Sequence, residues 1–150
     1  MTPPLDWIPV CETAQQDTGL ISVVEDDESV RDGAQALLRS VGYRVRTFGS
    51  AESLLASKAP TETACLILDI RIPGTDGLEL QRRLNESETY IPTVFITAQD
   101  DSLARKTAIA AGAVDVLRKP FLPGVLLAAV QIALGRGGAA SHGRVPRRAE

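Results

Sequence analysis

The stretch "VVEDDESVR" (residues 23–31) runs an apolar segment directly into four consecutive carboxylates, Glu25, Asp26, Asp27 and Glu28. Its first two residues close a longer apolar run, "LISVV" (20–24), which reads as a short buried strand. Behind the acids, Val30, Ala34, Leu37, Leu38 and Val41 recur at helical spacing, with Gly42 as a C-terminal cap. The stretch is therefore a strand that turns into a helix across a knot of negative charge. Two readings of the knot compete. One is a solvated turn that opens a helix. The other is a seat for a divalent cation, and the choice rests on residues far along the chain.

The same strand-then-helix unit recurs. "YRVRTF" (43–48) alternates apolar and polar residues like a half-buried strand, and Ser50 can cap a short helix to about Ser57 with Leu54 and Leu55 inward. "ACLILD" (64–69) is a third strand that ends on a carboxylate. After the turn-rich "IPGTDG" (72–77), Asp76 and Glu79 resemble a capping box for a helix carrying Leu80 and Leu84. "IPTVFITA" (91–98) is a fourth strand; Asp100, Asp101 or Ser102 opens a helix that closes at Gly112. "AVDVL" (113–117) is a fifth strand, and "LPGVLLAAVQIAL" (122–134) a last helix with Pro123 in its first turn. Five strands alternating with five helical segments predict an α/β fold: a doubly wound, five-stranded parallel sheet with helices on both faces.

Composition narrows the function. Of the 150 residues, 44% are hydrophobic but only 4% aromatic, so the core is built from Leu, Ile, Val and Ala. The net charge is −3; residues 136–150 hold Arg136, Arg144, Arg147 and Arg148 against Glu150, a net +3, leaving −6 for the rest. An acidic body argues against direct nucleic-acid binding by the folded part. Cys11 and Cys65 make no disulfide framework. No signal peptide and no membrane span is read, and the chain is expected to be soluble and cytoplasmic. The expected organisation is a mobile arm over 1–18, one domain over 19–135 and a flexible basic tail over 136–150, with His142 of that tail outside any site.

In such a sheet, ligands bind outside the carboxyl ends of the strands. Those ends carry Glu25–Asp26, Asp69, Thr97–Ala98 and Lys119–Pro120: three acids, a hydroxyl and an amine on one rim. Like charges about 4 Å apart repel by roughly 4 kcal/mol at an effective dielectric near 20, so the acids need a partner. Oxygen donors without His or Cys favour a hard cation, with Mg²⁺ the first choice. A carboxylate beside a cation and a lysine suits phosphoryl transfer through an aspartyl-phosphate. Asp27 and Glu28 are read as helix-capping residues, and Asp76 likewise.

Over about residues 20–134 the chain resembles the receiver domain of two-component response regulators, through "VVEDDESVR", "LILDIRIPGTDG", "VFITA" and "KPF" in order. The resemblance implies a flavodoxin-like (βα)5 fold and these roles. Asp69 would accept a phosphoryl group from a sensor histidine kinase. Asp26, Asp69 and the backbone carbonyl of Arg71 would ligate Mg²⁺, and Glu25 would act through water. Thr97, with Ala98 beside it, would be the switch and phosphate-binding position, and Lys119 the pairing lysine, its bond to Pro120 cis. Arg71 and Gln99 flank the phosphoryl position and are expected to tune the lifetime of phospho-Asp69. Val116 stands where relatives often have Tyr or Phe, which removes the aromatic part of the usual switch.

The expected function is thus a phosphoacceptor switch, not an enzyme. It would be read by a downstream protein, or by a second copy, on the face made by the helix after strand 4, strand 5 and the last helix. Two alternatives are the receiver part of a helix-turn-helix transcription regulator and a phosphate sink. A dehalogenase-type phosphatase would want a second acid two residues after Asp69, where Arg71 stands.

Overall fold

Each apolar run takes its place in one parallel sheet, because a run apolar on every residue can be satisfied only by cover on both faces. The structure is a computed structural model and describes residues 19–87, 90–98 and 102–143, with side chains as far as residue 135. The strands are β1 (Leu20–Val24), β2 (Arg44–Phe48), β3 (Thr63–Asp69), β4 (Thr93–Thr97) and β5 (Asp115–Arg118). Between and after them come α1 (Glu28–Ser40), α2 (Ala51–Ala56), α3 (Gly77–Glu86), α4 (Ser102–Ala110) and α5 (Pro123–Gly143), with a further helical turn at Ala59–Glu62. The strand order is β2-β1-β3-β4-β5, all parallel. The doubly wound sheet is as predicted. The expected arm over 1–18, with Cys11, and the residues Gln99, Asp100 and Asp101 lie outside the described residues, as do the side chains of Arg136 and His142 and all of 144–150.

Alternation along the strands divides the core in two. Leu20, Val24, Leu66, Leu68, Phe95 and Val116 face α2, α3 and α4, where Leu54, Leu80, Leu84 and Ala108 meet them. Ile21, Val23, Cys65, Ile67, Val94, Ile96 and Leu117 face α1 and α5, packing on Leu38, Leu126 and Val130. Each fully buried Leu or Ile contributes roughly 1.5–3 kcal/mol by leaving water.

Three details depart from the sequence reading. Leu55 is exposed rather than inward, because neighbours on a helix are about 100° apart and Leu54 takes the core side. Glu79 turns its carboxylate to Arg82 and Arg83, so Asp76 caps α3 without the reciprocal half of a box. The helix of α5 continues to Gly143 where the reading ended it near Leu134. Gly135, Gly137 and Gly138 disfavour helix in isolation, and here the backbone carries on through them.

Candidate functional site

The register of the sheet assembles the rim. Val24 stands opposite Leu68, so the next residues out, Glu25 and Asp69, are neighbours. Asp69 pairs with Ile96, and Thr97 with Arg118, which brings Thr97 and Lys119 to the same edge. Glu25, Asp69 and Lys119 continue the alternation of Val23, Ile67 and Leu117, so all three lean toward the α1–α5 side and converge.

Backbone bonds hold these ends together. Glu25 N–H donates to Phe48 O at 3.0 Å, Ile70 N–H to Ile96 O at 3.0 Å and Lys119 N–H to Thr97 O at 2.7 Å. The Lys119–Pro120 peptide bond is cis. Arg31, one turn into α1, donates to Glu25 O at 2.9 Å. Asp27 caps α1 by accepting from Val30 N–H at 3.2 Å, and Glu28 lies in that helix's first turn. The loop after β3 closes on itself: Gly77 N–H donates to Ile70 O at 2.9 Å. A Cβ at residue 77 would collide with the carbonyl oxygen of Asp69 and lie 2.9 Å from Ile70 Cα, so only glycine allows this approach.

At the centre, Lys119 Nζ lies 2.8 Å from Glu25 Oε1 and 3.1 Å from Asp69 Oδ2. Asp69 Oδ1 accepts from the Arg71 N–H at 3.1 Å, and Glu25 Oε2 from the Asp27 N–H at 3.0 Å. Glu25 is fully buried and Asp69 nearly so, while Asp26 is open to solvent. Ligand oxygens of Glu25, Asp26 and Asp69 all lie within 4.8 Å of one another. Burial raises the Glu25 carboxyl above its ordinary range, against the lowering effect of its bond to Lys119. Burial also pulls on Lys119, but its bonds to Glu25 and Asp69 outweigh that and leave the ammonium above its usual value.

This donor set fits a hard divalent cation, because three carboxylates converge with no nitrogen or sulfur donor among them. The two oxygens of Glu25 are already engaged by Lys119 and by the Asp27 amide, whereas Asp26 faces solvent.

Of the residues read from the sequence, Glu25, Asp26, Asp69 and Lys119 are brought together. Thr97 is buried at the adjoining strand end, with Ala98 exposed beside it. Arg71 is exposed, two residues past Asp69. Val116 is buried on the α4 side of β5, and its carbonyl accepts from Arg105 Nη1 at 2.9 Å. Sequence reasoning did not anticipate that Lys119 bridges Glu25 and Asp69, nor that Arg31 supports the carbonyl of Glu25. No local pattern signalled the second, since Glu25 lies before the helix cap and Arg31 six residues on.

The response regulator receiver domain family matches residues 21–131. Nodulation protein W of Bradyrhizobium diazoefficiens is 45% identical over 117 residues, which cover 78% of this chain and 52% of that protein. Response regulator protein TmoT of Ectopseudomonas mendocina is 41% identical over 115 residues, covering 77% and 52%. The solved structure of response regulator StyR superposes with a TM-score of 0.75 at 43% identity, covering 79% of this chain and 60% of that one. A five-stranded parallel sheet with an acidic, lysine-bearing rim is the architecture of a signalling domain of this kind. The chain belongs to the response regulator receiver domain family. It spans about half the length of the curated relatives it matches. Among the described residues no helix is long and apolar enough to cross a membrane.

Proposed function

We propose that this domain takes a phosphoryl group from a sensor histidine kinase onto Asp69 in a Mg²⁺-dependent reaction. The observation that carries the reading is the convergence of Glu25, Asp26 and Asp69 within 4.8 Å, with Lys119 Nζ 3.1 Å from the Asp69 carboxylate.

Asp26, Asp69 and the Arg71 carbonyl would hold the cation, and Glu25, fully buried and bonded to Lys119 and the Asp27 amide, would act through water. When bound, Mg²⁺ supplies charge neutralisation for the transferring group. The chain's own residues do the rest. The Arg71 amide and Lys119 orient the Asp69 carboxylate so that one oxygen can attack phosphorus. In the bond-forming step the Asp69 oxygen joins phosphorus as the bond from phosphorus to the donor's imidazole nitrogen breaks, and that nitrogen leaves with the electron pair. Lys119 and the Thr97 hydroxyl then balance the added phosphoryl oxygens. Arg71, exposed two residues past Asp69, would tune the lifetime of the phosphorylated form.

The readout would be a changed face of α4, β5 and α5, met by a downstream protein or a second copy. Its support is the exposure of Leu103, Ile109, Leu122 and Val125 there. The test is incubation with Mg²⁺ and acetyl phosphate followed by intact mass. One phosphoryl group is expected on the wild type, none on Asp69→Asn, and almost none after chelation; an unchanged gain in Asp69→Asn would overturn the assignment.

A further inference from the structure

The loop from Ile70 to Asp76 is held on its inner side by the contact of Gly77 with Ile70, and on its outer side by a residue from a different element. Glu52, in the first turn of α2, accepts through Oε2 from the Thr75 N–H at 2.9 Å. Gly74 lies under the same carboxylate with φ +81°; a Cβ there would sit 3.0 Å from Oε2 and 3.3 Å from Oε1. The positive φ favours glycine at 74, and a Cβ there would press on the Glu52 carboxylate. The Thr75 bonds hold the Glu52 carboxyl below its usual range, so it is charged at neutral pH.

The start of α2 is in turn referenced to the rim. Ser50 caps the helix two residues after Phe48, whose carbonyl accepts the Glu25 N–H. A continuous path of bonds thus runs from the acidic cluster through β2 and α2 and back to the loop that follows Asp69. The sequence reading gave this part of α2 no part in the site.

We infer that Glu52 is a positioning residue for the metal-dependent reaction: by clamping residues 74 and 75 it holds the loop that presents the Arg71 carbonyl to the cation. The inference rests on the function proposed above. Glu52 touches neither cation nor phosphoryl group, so its loss acts on cation affinity and not on the chemical step. Removing a residue that hydrogen-bonds a metal ligand directly typically costs about 10–100-fold in affinity, and Glu52 acts at one remove, through Thr75. Glu52 is exposed, so about three- to tenfold is expected.

The test compares wild type, Glu52→Ala and Glu52→Gln by Mg²⁺ titration calorimetry, by amide hydrogen exchange over residues 70–77 and by the Mg²⁺ dependence of phosphorylation from acetyl phosphate. Glu52→Ala should weaken Mg²⁺ binding by that factor, speed exchange at Thr75, and leave the rate at saturating Mg²⁺ within about twofold. Glu52→Gln keeps an oxygen for the Thr75 amide and should restore most of the affinity. Wild-type Mg²⁺ affinity in a folded Glu52→Ala protein overturns the role of Glu52 alone. A wild type that binds Mg²⁺ yet gains no phosphoryl group overturns the Asp69 assignment alone.

Discussion

At the scale of single residues, the central fact is that Lys119 stands between two buried carboxylates. A buried pair of this kind is weak evidence for net stability, but removing one partner leaves an uncompensated charge, at a cost of about 3–5 kcal/mol. Lys119→Met, without added divalent cation, should lose on the order of 3 kcal/mol at pH 7 in a urea titration. The loss should shrink as pH falls. Burial holds the folded carboxyl of Glu25 above its unfolded value, so the group favours the folded state fully below the unfolded value. That contribution is lost as pH rises through the folded one. A pH-independent deficit would show that Glu25 is not the group left behind. Cys65 gives a second residue-scale expectation. Its thiol is buried against α1 and α5, and burial pushes it up to about 12. The neutral form is unreactive, so a thiol reagent at pH 8 should modify Cys65 only at the rate of global unfolding. Peptide mapping by mass would detect faster labelling. Above about pH 9 the unfolded thiol ionises while the folded one does not, and this group then favours unfolding. The sequence showed Cys65 as a core residue and Asp69 as a strand-end acid; it did not show which of the four neighbouring carboxylates at 25–28 turn inward.

At the scale of elements, the opening acids separate by role. Glu25 is buried beside Lys119, Asp26 faces solvent within reach of Glu25 and Asp69, Asp27 caps α1 and Glu28 lies in its first turn. The capping reading of "VVEDDESVR" holds for Asp27 and Glu28, while Glu25 and Asp26 join Asp69 in an acidic group that could hold a metal ion. Asp27→Ala should cost about 1 kcal/mol through the lost cap, with Asp27→Asn near neutral. Urea midpoints at unchanged slope would check this, and an equal loss in both variants would point to charge rather than capping. Element existence was legible from pattern because the central strands are short apolar runs, β2 alternates apolar and polar residues, and the helices carry one apolar stripe. Boundaries were less legible. The helical turn at Ala59–Glu62 carries only four residues, too few to show a period, and is held by Thr63 Oγ1 donating to Ala59 O at 2.6 Å. The end of α5 was missed because glycine-rich composition and actual backbone path disagree there.

At the scale of the whole molecule, a cation that binds only the assembled rim must stabilise the fold by mass action, by about 2.7 kcal/mol at a hundred times its dissociation constant. Mg²⁺ should therefore raise the melting temperature progressively with concentration. Asp26→Asn should abolish that increment and, without Mg²⁺, leave the protein as stable as the wild type or up to about 1 kcal/mol more so, since one repelling charge is gone. Thermal melts with and without chelator test both arms; a full Mg²⁺ increment in Asp26→Asn would exclude it as a ligand. The sequence by itself determined the alternation of strand and helix, the two-faced core and the set of polar residues at the strand ends, because these depend on local period and on which residues water rejects. Only the tertiary structure decided the strand order that makes β1 and β3 neighbours, the lysine that bridges them from β5, and the grip of α2 on the loop after Asp69. Those are contacts between residues up to 94 positions apart, and no local pattern encodes a distance that exists only once the sheet has closed its register.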